Sequence, residues 1–271
     1  MEESDNKYYA IILSSTYQED EEFILKFLGH VSDICKSVSK KYSVLPVLVF
    51  EQSENKKKLF IQNRLLSEKV DVMPLLLTNN KGKGFASCLN YGIKNTNSKF
   101  IFRLDTDDRT KPKRIIDQLE VMNSKNSDLC CGNMEDENGK ILKYPPSLRG
   151  MALMVSLGTN PIAHPSVCFR KESLYLLYDE NYERCEDFDL WLRFYLTSSL
   201  KINVLDKPIT KYNTVRSLQK DRENAIYQIK IRFKFIKKIS LVLLVLLLGL
   251  IPNILRLVFF KNFLLSLRRK L

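Results

Sequence analysis

The chain has 271 residues, 45% of them hydrophobic, which allows one large domain or two small ones and excludes a disordered tail. Its net charge of +12 lies at one end: residues 1–210 contain 29 basic and 29 acidic side chains, whereas residues 211–271 contain 14 and 2. The basic excess flanks the most hydrophobic stretch. We therefore expect an anionic membrane surface as a partner, and no nucleic acid.

Three apolar runs in the first third of the chain predict strands. Residues 8–13, 44–50 and 72–77 each end in a polar loop, and a segment of helical character follows each loop. This alternation predicts an α/β fold with a mostly parallel, doubly wound sheet whose loops gather at one edge. The loop at residues 78–84 contains glycine but matches neither the Walker A sequence nor G-x-G-x-x-G. Neither a P-loop nor a Rossmann nucleotide site is therefore supported.

A fourth apolar run, residues 99–104, stops at three carboxylates, Asp105, Asp107 and Asp108. The carboxyl ends of strands in open α/β sheets are where ligands bind. Close carboxylates repel one another unless a cation lies among them, and hard oxygen ligands suit Mg²⁺ or Mn²⁺ shared with substrate phosphates. The alternative is a solvated acidic turn that caps a helix beginning near Pro112.

Glu186 and Asp187 form a second acidic centre farther along the chain. Leu190, Trp191 and Phe194 give the segment behind them an apolar helical stripe, so the two acids lie at or before the first turn of a helix. Exposed N–H groups favour carboxylates there. The pair is either a plain helix cap or a catalytic base with its neighbour.

In order along the chain, these stretches resemble inverting family 2 glycosyltransferases of GT-A fold, particularly bacterial enzymes of exopolysaccharide (amylovoran-like), capsule and lipopolysaccharide synthesis. The resemblance covers roughly residues 8–213. Residues 11–17 resemble the opening strand and loop, 84–92 the G-L-A-x-A-L-N-x-G helix, and 102–108 with 112–114 the R-M-D-A-D-D stretch and its P-x-R. Residues 164–171 resemble H-P-S-V-x-F-R-K, and 186–193 resemble E-D-Y-D-L-W-L-R.

The resemblance implies a role for each of the matching residues. Asp107 and Asp108 would hold Mg²⁺ or Mn²⁺ against the diphosphate of a nucleotide-sugar donor, and Asp187 would be the general base beside Glu186. His164 and Trp191 would lie on the acceptor side, although a structural role for His164 is the alternative. Asp189 is expected to be a structural partner of a nearby arginine. The donor side would comprise Ser15, Tyr17, Glu51, Lys83, Arg103 and Asp105.

One position departs from the family pattern. The second strand of the family usually ends in an aspartate that reads the base of the donor, and this chain has Glu51 followed by Gln52. A glutamate keeps the acceptor oxygens but reaches one methylene farther. A UDP-sugar is therefore the expected donor, with another base as the alternative.

Beyond the resemblance, the chain becomes basic and apolar. Residues 239–251 are apolar apart from a serine and a glycine, which is shorter than a bilayer span of about 20 residues. Basic clusters flank the longer stretch to 260 on both sides, so we predict a catalytic domain at residues 1–225 and a membrane-associating helical tail at 226–271. In-plane association, one span and a buried helical pair are the three arrangements considered for this tail.

Six cysteines at no metal-binding spacing, with no signal-like N-terminus, predict free thiols in a reducing compartment. The expected location is the cytoplasmic face of a bacterial inner membrane, and the expected reaction is transfer of a sugar to a saccharide or lipid-linked saccharide. A nucleotidyltransferase-type enzyme and a non-catalytic membrane adaptor are the alternatives. The first would normally have a glycine-rich basic loop near the N-terminus, and residues 14–20 have neither glycine nor lysine.

Overall fold

The computed structural model describes most of the chain and leaves seven stretches without description. The described residues are 8–16, 19–68, 70–197, 200–212, 218–236 and 248–258. The strands within them are β1 (Tyr8–Ser15), β2 (Val44–Glu51), β3 (Leu75–Asn79), β4 (Ser98–Arg103), β5 (Arg109–Thr110), β6 (Leu129–Glu135), β7 (Ile141–Leu142), β8 (Cys168–Arg170) and β9 (Ile202–Lys211). The α-helices are α1 (Glu21–Val38), α2 (Asn55–Glu68), α3 (Phe85–Lys94), α4 (Pro112–Ser124), α5 (Leu148–Ser156), α6 (Glu186–Thr197), α7 (Leu218–Ile236) and α8 (Leu250–Val258).

The nine described strands form one sheet in the order β3-β2-β1-β4-β8-β6-β9-β5, with β7 paired to β6. The first four strands are parallel, as the alternation of strands and helices predicted. β8 then pairs antiparallel with both β4 and β6, and β5 pairs antiparallel with β9. The prediction of a mostly parallel sheet is therefore wrong for the second half. Helices α4, α5 and α6 still connect strands there, and β6 and β9 are parallel, but β8 and β5 run antiparallel to their neighbours, so the sheet as a whole is mixed.

Alternate side chains of β1 face opposite layers of the core. Ala10 and Ile12 pack in the cluster that contains α1, α2 and α4, whereas Ile11 and Leu13 pack in the one that contains α3, α5 and α6. This follows from the two-residue period of a strand, and burial on both faces explains why β1 reads as a continuous apolar run.

The register of the parallel strands aligns their carboxyl ends along one edge. Leu13 is opposite Arg103, so β1 and β4 run side by side to that edge. Glu51 at the end of β2 is opposite Asn79 at the end of β3. The loops that carry the predicted donor residues leave the sheet at this edge.

The described part of the C-terminal region packs on the domain. α7 crosses the boundary predicted at residues 225 and 226, and its Ile231 and Phe235 lie in a buried cluster with Val155 and Phe188. Among the described residues, no helix is both long enough and apolar enough to cross a membrane. Residues 237–247 and 259–271 lie outside the description, so the hydrophobic tail stays a prediction.

The cysteines agree with the sequence analysis. All six are free thiols, and five of them are buried.

Candidate active site

The acidic stretch after β4 brings carboxylates close together. Asp105 forms an ion pair with Arg103, Asp107 is exposed, and Asp108 is buried. Desolvation raises the pKa of the Asp107 carboxyl, and the negative charges of Asp105 and Glu19 raise it further. Asp105 and Asp107 are thus the more accessible carboxylates of the stretch, and they lie in a region of excess negative charge.

The donor set around Asp107 fits a hard divalent cation. Mg²⁺ and Mn²⁺ suit carboxylate oxygens combined with substrate phosphates, and a cation would relieve the repulsion that raises the pKa of Asp107. No group of three His, Cys, Asp or Glu side chains among the described residues could hold a metal ion. A cation at this position would therefore need oxygen ligands from a bound diphosphate as well.

Two buried arginines fix the end of β4. Arg103 has its guanidinium carbon 4.9 Å from the ring centroid of Phe85 and pairs with Asp105. Arg114 on α4 donates a hydrogen bond to the Arg103 carbonyl at 2.9 Å. Desolvation lowers the pKa of the Arg114 guanidinium, and the negative charge of Asp108 opposes that shift. The sequence predicted Arg103 beside the donor phosphate or base. The structure places its guanidinium inside the protein, against Asp105.

The other predicted donor residues lie at the ends of β1 and β2 and before α3. Glu51 Oε1 accepts a hydrogen bond from the Gly84 N–H at 2.7 Å, and Gly84 has a φ of +86°, which glycine adopts without strain. Lys83 is exposed in the same loop. Ser15 is buried, and its hydroxyl donates to a β2 carbonyl at 3.3 Å. Tyr17 lies outside the described residues.

Glu186 and Asp187 begin α6, at the position that the helical stripe predicted. Both carboxylate oxygens of Asp187 accept hydrogen bonds: Oδ1 accepts one from the Phe188 N–H at 2.7 Å, and Oδ2 accepts one from the Asn160 amide at 2.5 Å. Desolvation and the negative charge of Asp187 raise the pKa of the half-buried Glu186 carboxyl. Glu186 therefore favours its protonated form, while two N–H donors favour the carboxylate form of Asp187.

The two acidic centres interact electrostatically. Besides desolvation and the Asp187 charge, the pKa of Glu186 responds to Asp105, which raises it, and to Arg103, which lowers it. The pKa of the buried Tyr178 hydroxyl, which desolvation raises, responds to the same four groups: Asp105, Asp187 and Glu186 raise it, and Arg103 lowers it. The fold therefore brings together two acidic stretches that are far apart in the sequence.

His164 and Trp191 lie in the core. His164 Nε2 is 2.7 Å from the Tyr178 hydroxyl, and the His164 ring centroid is 6.1 Å from that of Trp191. Desolvation lowers the pKa of His164 well below its ordinary value. Trp191 also stacks on Phe169. The buried contact with Tyr178 agrees with the structural role that the sequence left open for His164.

Asp189 is a structural partner, as predicted. It is fully buried, and its Oδ2 accepts a hydrogen bond from Arg193 Nε at 2.6 Å. Its Oδ1 accepts a second one from Lys234 Nζ at 3.1 Å. The third acid of the stretch thus fastens α6 to α7.

Sequence reasoning assigned no role to Asn160. This residue opens the stretch that leads into the His164 motif, and its partner Asp187 lies 27 residues farther along the chain. No local pattern relates a loop amide to a helix start at that distance. Its place in a family-like stretch was the only signal that could have found it.

Solved structures share this α/β fold with its mixed sheet, which is of the GT-A type. Residues 1–349 of Staphylococcus aureus TarS superpose with a TM-score of 0.59, covering 91% of this chain and 71% of that fragment at 18% identity. The mannosyltransferase PcManGT from Pyrobaculum calidifontis, in complex with GDP-Man and Mn²⁺, gives a TM-score of 0.63, with 97% and 79% covered at 11% identity. Identities this low show the fold alone.

The sequence supplies the family. The model of glycosyl transferase family 2 matches residues 12–196, and the chain belongs to that family. An uncharacterized glycosyltransferase of Methanocaldococcus jannaschii is 24% identical over 245 residues, which is 86% of this chain and 81% of the relative. One from Rickettsia typhi is 30% identical over 132 residues, 43% of this chain and 41% of the relative. The resemblance is confirmed at the level of the family, and the exopolysaccharide subtype stays a prediction.

Proposed function

We propose that the protein transfers a sugar from a nucleoside diphosphate donor to an acceptor hydroxyl with inversion at the anomeric carbon. One observation carries the proposal: two acidic centres with different environments lie near each other at one sheet edge. Asp105 and Asp107 are accessible and crowded with negative charge, whereas Asp187 is held by Asn160 and the helix start. Such a division of roles is what a displacement with one base and a diphosphate leaving group needs.

The base in this proposal is Asp187. As the acceptor oxygen bonds to the anomeric carbon, the bond from that carbon to the diphosphate oxygen breaks, and the acceptor proton passes to the Asp187 carboxylate. The Asn160 amide and the Phe188 N–H stabilise this carboxylate before the transfer and hold its orientation. Glu186, in its protonated form, can donate a hydrogen bond to the acceptor.

Asp107 is the first residue that would hold Mg²⁺ or Mn²⁺. Asp108, the second ligand that the resemblance implies, is buried, so the more accessible Asp105 would take its place. A bound cation supplies charge neutralisation for the leaving diphosphate. Arg103 maintains the arrangement through its ion pair with Asp105. The Mn²⁺ in the PcManGT complex supports the choice of ion for a protein of this fold.

The donor is proposed to be a UDP-sugar. TarS has been solved with UDP-GlcNAc and with UDP, and PcManGT with GDP-Man, so both bases occur among the structural neighbours. Glu51 would offer the base a carboxylate oxygen, and its contact with Gly84 holds it near Lys83.

The proposed acceptor is a saccharide or lipid-linked saccharide of bacterial surface polysaccharide synthesis, at the cytoplasmic face of the inner membrane. The basic apolar end of the chain supports this location.

The proposal is tested with Asp187→Asn. Purified protein is given UDP-, GDP- and dTDP-sugars with Mn²⁺ and a membrane-lipid extract, and released nucleotide is measured. General base catalysis contributes about 10²–10⁴-fold, so we expect a loss of that size without loss of donor binding. Ser147→Ala is the control, because it removes the side chain that caps α5 and should lower stability without reducing turnover.

Each alternative has its own outcome in this experiment. Normal turnover by Asp187→Asn, or loss of donor binding in parallel with turnover, would remove Asp187 from the role of base. Release of pyrophosphate in place of nucleoside diphosphate would indicate nucleotidyl transfer. A wild-type protein that turns over no donor would be a non-catalytic adaptor.

A further inference from the structure

α7 is anchored to the domain by a fully buried arginine. The Arg232 guanidinium carbon lies 4.4 Å from the ring centroid of Phe188, and its Nη2 donates a hydrogen bond to the Val155 carbonyl at 2.9 Å. A second hydrogen bond, 3.1 Å long, joins Arg232 Nη1 to Gln228 Oε1 within α7. These contacts fix which face of α7 points toward α5 and α6.

The residue before α8, Gly249, and the first turn of α8 lie against the same place. A Cβ atom on Gly249 would lie 2.5 Å from the Val155 carbonyl oxygen and 2.6 Å from Arg232 Nε, so the backbone approaches both very closely. Asn253 is fully buried, and its amide donates a hydrogen bond to the Gly249 carbonyl at 2.7 Å. A polar side chain therefore occupies the inner side of α8.

The outer faces of the two helices are apolar. Leu248, two residues before α8, and Ile251 and Ile254 on α8 follow one another at a spacing of three, and their exposed fractions are 44%, 56% and 50%. On α7, Ile226 and Phe233 are one heptad apart and are exposed by 43% and 56%. We call these five side chains the outer face. Large aliphatic and aromatic side chains are exposed to solvent, whereas Asn253 and Arg232 on the same two helices are buried.

The charge around the outer face is positive. Arg222 and Lys230 are exposed and share helical spacing with Ile226 and Phe233, so they lie on the same side of α7. The last 61 residues contain two acidic residues, and one of them, Glu223, is paired with Arg184 at 2.7 Å. Apolar side chains interleaved with lysine and arginine are the pattern of helices that lie in a bilayer interface.

We propose that the outer face docks on the surface of a bilayer that contains anionic lipids. In this arrangement Ile251 and Ile254 of α8 face the lipid, while the buried Asn253 faces the domain. The basic residues favour anionic headgroups, and the five apolar residues enter the boundary between the headgroups and the acyl chains. This inference rests on the location given in the proposed function but not on its chemistry, because docking requires no donor.

The test uses the whole protein and two kinds of vesicle. One contains phosphatidylcholine and phosphatidylglycerol at about three to one, and the other phosphatidylcholine alone. We expect co-sedimentation with the first, weakened in about 0.5 M salt. The variant Phe233→Ser/Ile251→Ser/Ile254→Ser should bind at least about tenfold more weakly, because three large apolar side chains no longer enter the interface. Arg222→Gln/Lys230→Gln should lower affinity by about fivefold per charge removed.

The matched control is Leu59→Ser/Leu66→Ser on α2, which removes two side chains that are each 59% exposed, away from the outer face. It should bind vesicles like wild type, and a thermal melt establishes that each variant is folded. Wild-type affinity in the triple variant would overturn the proposal, as would equal loss in the control. If the triple variant turns a dimer into a monomer but still binds vesicles, the outer face is an interface between copies and the proposal is wrong.

Discussion

Asn160 and Asp187 form the smallest unit of the site whose contribution can be measured. The Asn160 amide donates to a carboxylate at 2.5 Å, and its own Oδ1 is buried without a hydrogen-bond partner among the described residues. One contact thus connects the loop before β8 with the start of α6. We infer that Asn160 is a positioning residue, because it acts through Asp187.

We expect Asn160→Ala to lower kcat by about 10- to 100-fold with little change in KM for the donor, because a hydrogen bond to a charged group contributes about 1.5–3 kcal/mol. Loss of the Asn160 amide N–H also disfavours the Asp187 carboxylate, so the acidic limb of the pH profile should move to higher pH. Steady-state kinetics across pH measures both effects.

The control is Asn181→Ala, which removes an equivalent amide-to-carboxylate contact of 2.8 Å with Asp179 on the surface. It should leave the pH profile unchanged. A pH profile for Asn160→Ala that coincides with wild type would contradict the positioning role.

The sequence identified the charged residues of the site but not their environments. Asp107 and Asp187 were named from the order of motifs, and both lie at the sheet edge, at the end of β4 and the start of α6. Arg103 and Trp191 were named too, yet both are buried. A motif gives the identity of a side chain, whereas its direction depends on neighbours such as Phe85 that are distant in sequence.

At the scale of elements, the strand ends were predictable where local pattern decides them. The first two strands were predicted at residues 8–13 and 44–50, within two residues of β1 and β2. The third was predicted from Val72, but β3 begins at Leu75, because the Val72 N–H and carbonyl both bond to the Ser32 hydroxyl outside the ladder. β9 pairs over long range with β6, which no local signal encodes.

Close packing of α3 on the sheet gives a prediction at this scale. A Cβ atom on Gly92 would lie 2.4 Å from Leu13 Cδ1 and 3.0 Å from Val49 Cγ2, both in the core. Gly92→Ala should therefore lower the free energy of unfolding by about 1–3 kcal/mol. Urea unfolding measures this change.

Gly29→Ala is the matched comparison, because Gly29 lies inside α1 with nothing within 4 Å of the added methyl group. It should raise stability by about 0.5–1 kcal/mol, the helix-propensity difference between glycine and alanine. If both variants change stability in the same direction and by the same amount, close packing at Gly92 is not the cause.

At the scale of the whole molecule, the two histidines make stability depend on pH. Desolvation lowers the pKa of both, with Arg109 adding to the effect at His30 and Arg103 at His164. The folded protein therefore holds both imidazoles neutral, and His30 Nε2 accepts the Thr110 N–H at 3.3 Å. The unfolded chain takes up protons near pH 6.5, so the folded state loses stability as pH falls below that value.

We expect the free energy of unfolding to fall between pH 7.5 and 5.5, by up to about 1.4 kcal/mol per pH unit for the buried His164 and by less for the half-buried His30, which solvent screens. Glu186 has the opposite sign, because its raised pKa stabilises the folded protein at low pH and that contribution is lost as pH rises. His30→Gln/His164→Gln should flatten the dependence below pH 6.5. If the free energy of unfolding of the double variant falls in acid as much as that of wild type, other groups cause the effect.

The docking of α7 on α6 determines how much of the chain is needed for folding. Lys234 supplies a cation to the buried Asp189, and Phe235 packs beside Phe188, next to the proposed base. A truncated protein that stops where the family match stops would remove that cation and uncover an apolar surface. The domain that the family delimits is therefore smaller than the part of the chain that packs together, and a shortened protein needs to keep at least α7.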